Sequence, residues 1–184
     1  MKKLTITCLI LFFSFLAFSQ KSYENPIALN LKNLDLDNFK KVVIDKNKFD
    51  DTVSVTARVN SNTILYAKIV LSEKAALLGI WLNYNADKWL FMKKAIIKIG
   101  NQKFDFDLEK TKRTVVSGNY VNESCLIIPS EEFYRAILNA DPKETDITIR
   151  FSGDYIRDKP VSRSYIKKLQ YVLNAYELLL DSSQ

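Results

Sequence analysis

The chain has 184 residues, of which 47% are hydrophobic, and its 27 basic and 21 acidic residues give a net charge of +6 at pH 7. That length and apolar content suit one domain with a hydrophobic core, while the mild charge, spread among acidic residues, argues against a nucleic-acid partner. The chain has no histidine and only four glycines, which excludes histidine-dependent catalysis, histidine-ligated zinc and glycine-rich phosphate loops.

The first nineteen residues have the pattern of a secretory signal peptide. Lys2 and Lys3 precede an apolar run at 4–18, which is too short to cross a bilayer stably and ends in small residues suited to signal peptidase. We therefore predict a signal peptide at 1–19, cleavage before Gln20, a periplasmic or secreted protein, and no stable membrane span after cleavage. An uncleaved membrane anchor is the alternative.

The single cysteine that would remain after cleavage is Cys125. An intrachain disulfide is then impossible, so the fold must depend on packing alone. Cys125 lies in an apolar run at 124–128, and a thiol in such a run behaves as a small hydrophobic group. We predict that Cys125 is buried.

Three segments make up the predicted domain organisation. Residues 1–19 form the signal peptide, residues 20–40 an N-terminal arm, and residues 41–184 a single α+β domain. The arm contains short apolar alternations but is rich in Asn and Asp, which is typical of a loosely packed segment.

Period-two alternation begins after the arm. Apolar residues alternate with polar ones at 53–59 and again at 65–71, which predicts two strands paired through the turn at 60–62. The run at 75–84 is apolar on both faces apart from Asn83. It predicts a central strand covered on both sides, with Gly79 marking a bulge or a close approach.

The next elements form a predicted hairpin. A strand at 89–99 is followed by Gly100-Asn101 and by a second alternating run at 104–108. Glycine at the first turn position accepts the positive φ of a type II′ turn. In the second strand the apolar residues Phe104, Phe106 and Leu108 are predicted to point inward, and Asp105 and Asp107 outward.

Helices are predicted only in the last third of the chain. Ser130 is the N-cap of a short helix that has Glu131 and Glu132 in its first turn and ends before Asp141-Pro142. A strand at 147–151 separates it from a long amphipathic helix at 162–180. The buried stripe of that helix is predicted to comprise Tyr165, Leu169, Val172, Leu173, Tyr176, Leu179 and Leu180.

These elements predict an α+β fold: an antiparallel, sandwich-like β-sheet of about seven or eight strands, with a short helix and a long C-terminal amphipathic helix. Four features recur with this order: a Trp-Leu pair near the middle, Asn122-Glu123 before a strand, the run Ile149–Gly153 and the final helix. In them the chain resembles a loose set of small exported bacterial proteins of unknown function, with signal peptides like those of Bacteroidota. The resemblance implies export and this fold, and it carries over no functional residue.

Three residues are candidate binding residues. Trp89 lies with other aromatic residues near the turn at Asp87, where its ring either packs in the core or stacks on a glycan. Glu123 and Arg150 lie in or beside strands near the predicted helices. We predict an ion pair between them, either as a structural brace or as a clamp for a ligand.

No residue pattern predicts a catalytic centre, a cofactor or a metal site, and the balance favours a protein without enzymatic activity. We expect a non-catalytic binding or interaction protein of the cell envelope with a protein or glycan partner; one specific form is an immunity-type protein that occupies an exported toxin. The alternative is a carbohydrate-active or calcium-dependent protein. It would use Asp105 and Asp107, which share one strand face about 7 Å apart.

Overall fold

The computed structural model describes residues 41–46, 52–60, 63–72, 75–118 and 120–181. The predicted signal peptide and N-terminal arm lie outside these residues. Within them, ten strands form two antiparallel sheets, and two helices follow the eighth and tenth strands. The predicted α+β, sandwich-like class is confirmed, with more strands than the sequence indicated.

The first sheet has six strands in the order β1-β2-β3-β4-β8-β7. In chain order they are β1 (Val43–Lys46), β2 (Val53–Thr56), β3 (Leu65–Ser72), β4 (Ala75–Ala86), β7 (Lys112–Ser117) and β8 (Tyr120–Ile127). The predicted pairing of β2 with β3 is confirmed. Every second residue of β3 is buried, so one face of this sheet faces the core.

The second sheet has four strands in the order β10-β9-β5-β6. They are β5 (Lys94–Ile99), β6 (Gln102–Asp107), β9 (Ile147–Ser152) and β10 (Ile156–Val161). The predicted hairpin joins β5 to β6, and Gly100 takes a φ of +56°. The strand predicted from Trp89 begins only at Lys94, because residues 87–93 cross from one sheet to the other.

Two helices pack on the inner faces of the sheets. Helix α1 (Glu131–Leu138) is capped as predicted, since the Ser130 hydroxyl accepts a hydrogen bond from the amide of Phe133 at 3.2 Å. The Phe133 ring lies 5.1 Å from Phe104 and 4.9 Å from Phe106, centre to centre. Helix α1 therefore closes the inner face of β6.

Helix α2 (Arg163–Asp181) packs against β3 and α1. Five residues of its predicted stripe are buried, whereas Tyr165 and Leu180 are half-buried. Ile166 and Ala175 complete the buried face, which comprises Ile166, Leu169, Val172, Leu173, Ala175, Tyr176 and Leu179. The predicted helix is confirmed, with its apolar face on the core.

The prediction that β4 is covered on both sides is wrong. Leu77 is 51% exposed on the outer face of the first sheet, and Trp81 on the same face is half-buried and stacked on Tyr66. The predicted close approach at Gly79 is confirmed, because a Cβ there would lie 2.6 Å from a methyl carbon of Leu126. The outer face of β4 is apolar because it carries these surface residues. It is not covered by a second layer.

Two further findings complete the fold. Cys125 is buried as predicted, and burial raises the pKa of its thiol. The edge strands β1, β7 and β10 were not predicted, because most of their residues are exposed and show no alternating apolar pattern.

Among the described residues, no helix has both the length and the hydropathy needed to cross a membrane.

Candidate functional site

Residues 87–93 connect β4 of the first sheet to β5 of the second, and we call them the crossing segment. Side chains in it alternate between buried and exposed: Leu90 and Met92 point into the core, while Phe91 is 41% exposed. Phe91 also has a φ of +53°, a left-handed conformation that costs free energy for a residue with a large side chain. Surrounding contacts must therefore hold the segment in this shape.

The strongest of these contacts comes from Glu123 on β8, whose side chain is completely buried. One carboxylate oxygen accepts hydrogen bonds from the amides of Leu90 and Phe91 at 2.5 and 2.8 Å, and the other accepts one from Met92 at 2.8 Å. Arg113 Nε donates a fourth bond at 3.2 Å. The carboxylate thus binds three consecutive backbone amides and one guanidinium.

The left-handed residue explains how three successive amides can reach one carboxylate. A positive φ within an otherwise ordinary backbone turns neighbouring N–H groups toward the same side, and this concavity suits an anion. A buried carboxylate needs such partners, because an unpaired charge in the core is strongly destabilising. Glu123 and the conformation of Phe91 therefore depend on each other.

The turn between β9 and β10 holds the crossing segment from another side. The amide of Asp154 donates to the carbonyl of Leu90 at 2.9 Å, and the hydroxyl of Tyr155 donates to the carbonyl of Trp89 at 2.9 Å. Gly153 permits this approach, since a Cβ at that position would lie 2.1 Å from the Leu90 carbonyl oxygen. Glycine is required here for space.

The crossing segment presents the rings of Trp89 and Phe91, and neighbouring elements add Tyr155 and two arginines. Trp89 and Phe91 have ring centres 6.2 Å apart, and the Arg113 guanidinium lies 5.2 Å from the Phe91 ring centre. Next to them the Arg157 guanidinium lies 4.4 Å from the ring centre of Tyr155. We call these five residues the aromatic platform. Cations over ring faces are mutually stabilising and leave both groups available at the surface.

Tyr84 on β4 lies beneath the platform. Its ring packs edge-on against Phe151 of the second sheet, 5.9 Å centre to centre. Burial, followed by the hydrogen bond and charge of Tyr155, raises the pKa of Tyr84 to about 12. The phenol is therefore neutral at all physiological pH values, and the Lys159 ammonium lies 5.9 Å from its ring centre.

The structure brings two of the three predicted binding residues together. Trp89 belongs to the platform, and Glu123 holds the backbone that carries Trp89. Arg150 lies elsewhere, on the outer face of the second sheet, where its guanidinium makes two hydrogen bonds of 2.7 Å to Asp158.

The predicted ion pair between Glu123 and Arg150 is therefore wrong. The register explains why: Arg150 is opposite Asp158 and Ile96 on an outward-facing row, whereas Glu123 points into the core. The pairing with Asp158 raises the pKa of Arg150, and the hydrogen bond from Arg150 lowers the pKa of Asp158. Both groups of that pair are surface groups.

Asp105 and Asp107 lie on the solvent-facing side of β6, an edge strand. Asp107 is 3.5 Å from the ammonium of Lys94 across the hairpin, and both side chains are exposed. In the part of the chain that the structure describes, no three Asp, Glu, Cys or His residues are grouped closely enough to hold a metal ion. The two aspartates have the surroundings of a solvated strand face.

Sequence reasoning missed Arg113, Tyr155 and Arg157 as members of the site. Arg113 lies in the unpredicted strand β7, and Tyr155 and Arg157 follow a Ser-Gly pair that indicated only the end of a strand. Gly153 was the one available signal, because an isolated glycine beside a strand can mark a close backbone approach. It does so here.

Comparison with family models, with curated proteins and with solved structures finds no match to this chain.

Proposed function

We propose that the protein is a non-catalytic binding protein of the cell envelope and that the aromatic platform is its binding surface. One observation carries the proposal: Trp89 and Phe91 are displayed on a segment that a fully buried carboxylate holds in a strained conformation, with Tyr155 and two arginines from neighbouring elements beside it. A strained backbone conformation that many surrounding contacts hold in place is characteristic of functional sites.

The composition of the platform supports a binding role. Tryptophan, tyrosine and arginine dominate the energetically important positions of protein interfaces. The rigid attachment adds to this, because side chains that are already ordered lose little conformational entropy when a partner binds. A protein partner fits these properties best, and a glycan that stacks on Trp89 is the alternative ligand.

The chemistry of Glu123 supports the non-catalytic part of the proposal. Both of its oxygens are occupied by donors from the protein itself, so the carboxylate has no free position from which to exchange a proton with a substrate. An immunity-type protein is the specific form we favour, since covering a toxin needs a rigid surface and no reacting group. The location in the envelope rests on the predicted signal peptide at 1–19.

Affinity capture from detergent-solubilised envelope extract tests the proposal, with bound proteins identified by mass spectrometry. Trp89→Ala should weaken capture by at least about tenfold, the loss typical of an interface anchor. Trp81→Ala is the matched control, because it removes the same ring from the outer face of the first sheet. Equal capture by wild type and Trp89→Ala would refute the platform as the binding surface.

A further inference from the structure

Among the residues that the structure describes, five of the ten exposed large hydrophobic ones lie at one end of the sandwich: Phe91, Val115, Val116, Tyr120 and Ile156. The register places them together, since Ala86 is paired with Val121 and Val121 with Val115. The β7–β8 hairpin therefore ends beside the point where the crossing segment leaves β4. Ile156 follows Tyr155, which is bonded to that segment. We call the end of the sandwich that carries these five exposed residues the loop end.

Exposed apolar side chains lie on both faces of the β7–β8 hairpin where its strands approach the turn. Val115 is 61% exposed and lies opposite the inward-pointing Val121, whereas Tyr120, the next residue along β8, is 60% exposed on the other face. Val116 beside them is 59% exposed. A medium that surrounds the tip covers both faces at once.

Four cations and the exposed carboxylate of Asp87 lie near these apolar side chains. Lys112 and Arg113 precede them on β7, and Lys88 and Arg157 lie on the neighbouring segments. Lys88, Lys112 and Arg157 form no ion pair with another described residue. Exposed apolar side chains beside a local excess of cations match the boundary between hydrocarbon and anionic headgroups.

We propose that the loop end docks on an anionic phospholipid membrane, with Val115, Val116 and Tyr120 at the hydrocarbon boundary and Lys112 and Arg157 at the headgroup phosphates. Trp89 then lies at headgroup depth, the level that tryptophan prefers. The docking orients the aromatic platform beside the membrane surface. The docking shares Trp89 and Arg157 with the platform but needs no protein partner, so vesicle binding and capture of a protein are tested by separate measurements.

Sedimentation with lipid vesicles tests the docking. Wild-type protein should sediment with vesicles that contain phosphatidylglycerol, and less with pure phosphatidylcholine or at high salt. The double variant Val115→Ser/Val116→Ser should bind about tenfold more weakly. Val43→Ser removes the same group from an exposed position of β1 and should leave binding unchanged. Lys112→Gln should weaken binding about fivefold.

Fluorescence quenching by brominated lipids reports which surface meets the membrane. The chain has two tryptophans, so Trp81→Phe leaves Trp89 as the reporter, and Trp89→Phe leaves Trp81 on the outer face of the first sheet. Bound vesicles should quench Trp89 and spare Trp81. The substituted positions at the tip are exposed, and unchanged thermal melts will show that the variants remain folded.

Three results would overturn the assignment: no sedimentation of wild type with anionic vesicles, an equal loss in Val43→Ser, or quenching of Trp81 in place of Trp89. Equal binding to neutral vesicles would also overturn the role given to anionic headgroups. Capture of an envelope protein that Trp89→Ala abolishes, without any vesicle binding, would overturn the membrane assignment and leave the proposed function in place.

Discussion

The buried face of helix α2 and the crossing segment at 87–93 are both fixed in place, but by different means. Seven apolar side chains position the helix, and each contributes a similar share through burial. The crossing segment is positioned chiefly by one carboxylate, with additional support from the turn at Gly153. Its conformation is strained at Phe91, so it cannot rely on intrinsic preference.

The difference shows that helix α2 tolerates the loss of a contact, whereas the crossing segment is rigid and does not. Apolar contacts are numerous and non-directional, so a helix that loses one of them stays where it is. Hydrogen bonds to a buried charge are few and directional. A segment held by them therefore keeps one defined conformation and loses it when the bonds are broken. The platform gains a fixed shape at the cost of depending on Glu123.

Removal of the Glu123 charge should have the largest effect. Glu123→Gln places an amide where three backbone N–H groups need an acceptor, and it leaves Arg113 without its partner. We expect a loss of about 3–5 kcal/mol in the free energy of unfolding. Urea denaturation followed by circular dichroism measures it.

Asp158→Asn is the matched control for that variant. It also removes a carboxylate that is bonded to an arginine, but at an exposed site, where ion pairs contribute little. We expect no measurable change in stability. If both variants unfold at the same urea concentration, Glu123 does not hold the crossing segment as described.

A core substitution in α2 should have the next largest effect. Leu173→Ala empties part of the contact between α2 and its neighbours at a completely buried position, for an expected loss of about 2–5 kcal/mol. Lys167→Ala on the exposed face of the same helix should change little. In contrast to Glu123→Gln, Leu173→Ala should leave the environment of Trp89 intact, which tryptophan fluorescence of a Trp81→Phe background will show.

The smallest effect concerns pH. The pKa of Tyr84 is raised from 10 to about 12 in the folded protein. Between these values the unfolded chain loses the phenol proton and the folded protein keeps it, so this stabilisation is complete below pH 10 and is lost as pH rises toward 12. Tyr84→Phe should therefore lose less stability than wild type over that range. Denaturant titrations on both sides of pH 10 compare them, and parallel losses would contradict the assigned shift.

Wherever a simple period governed the packing, the sequence predicted the fold. Alternation predicted β3, the Gly100-Asn101 pair predicted the β5–β6 turn, and the spacing in α2 predicted most of its buried face. These features depend on which side of one element is apolar. Sequence patterns did not predict β7 and β10. An edge strand with two exposed faces has no apolar side, so its sequence shows no alternation of apolar and polar residues.

The site was only partly predictable, for a related reason. The sequence identified Trp89 and Glu123 as candidates from their residue types. Glu123, however, binds backbone amides of the crossing segment, and every residue except proline has such an amide. The sequence therefore could not indicate this contact. Arg150 was assigned the wrong partner because one residue of register decides which face of a strand a side chain occupies.

The partners of the crossing segment all follow it along the chain, and this has a consequence for how the protein acquires its structure. The carboxylate that binds its amides arrives 31 to 33 residues later, and the Tyr155 hydroxyl 66 residues after Trp89. The amides of the segment therefore stay in water until β8 and the β9–β10 turn have formed. Closing contacts between residues this far apart in sequence costs loop entropy, so the segment is ordered only once the strands that hold it have come together.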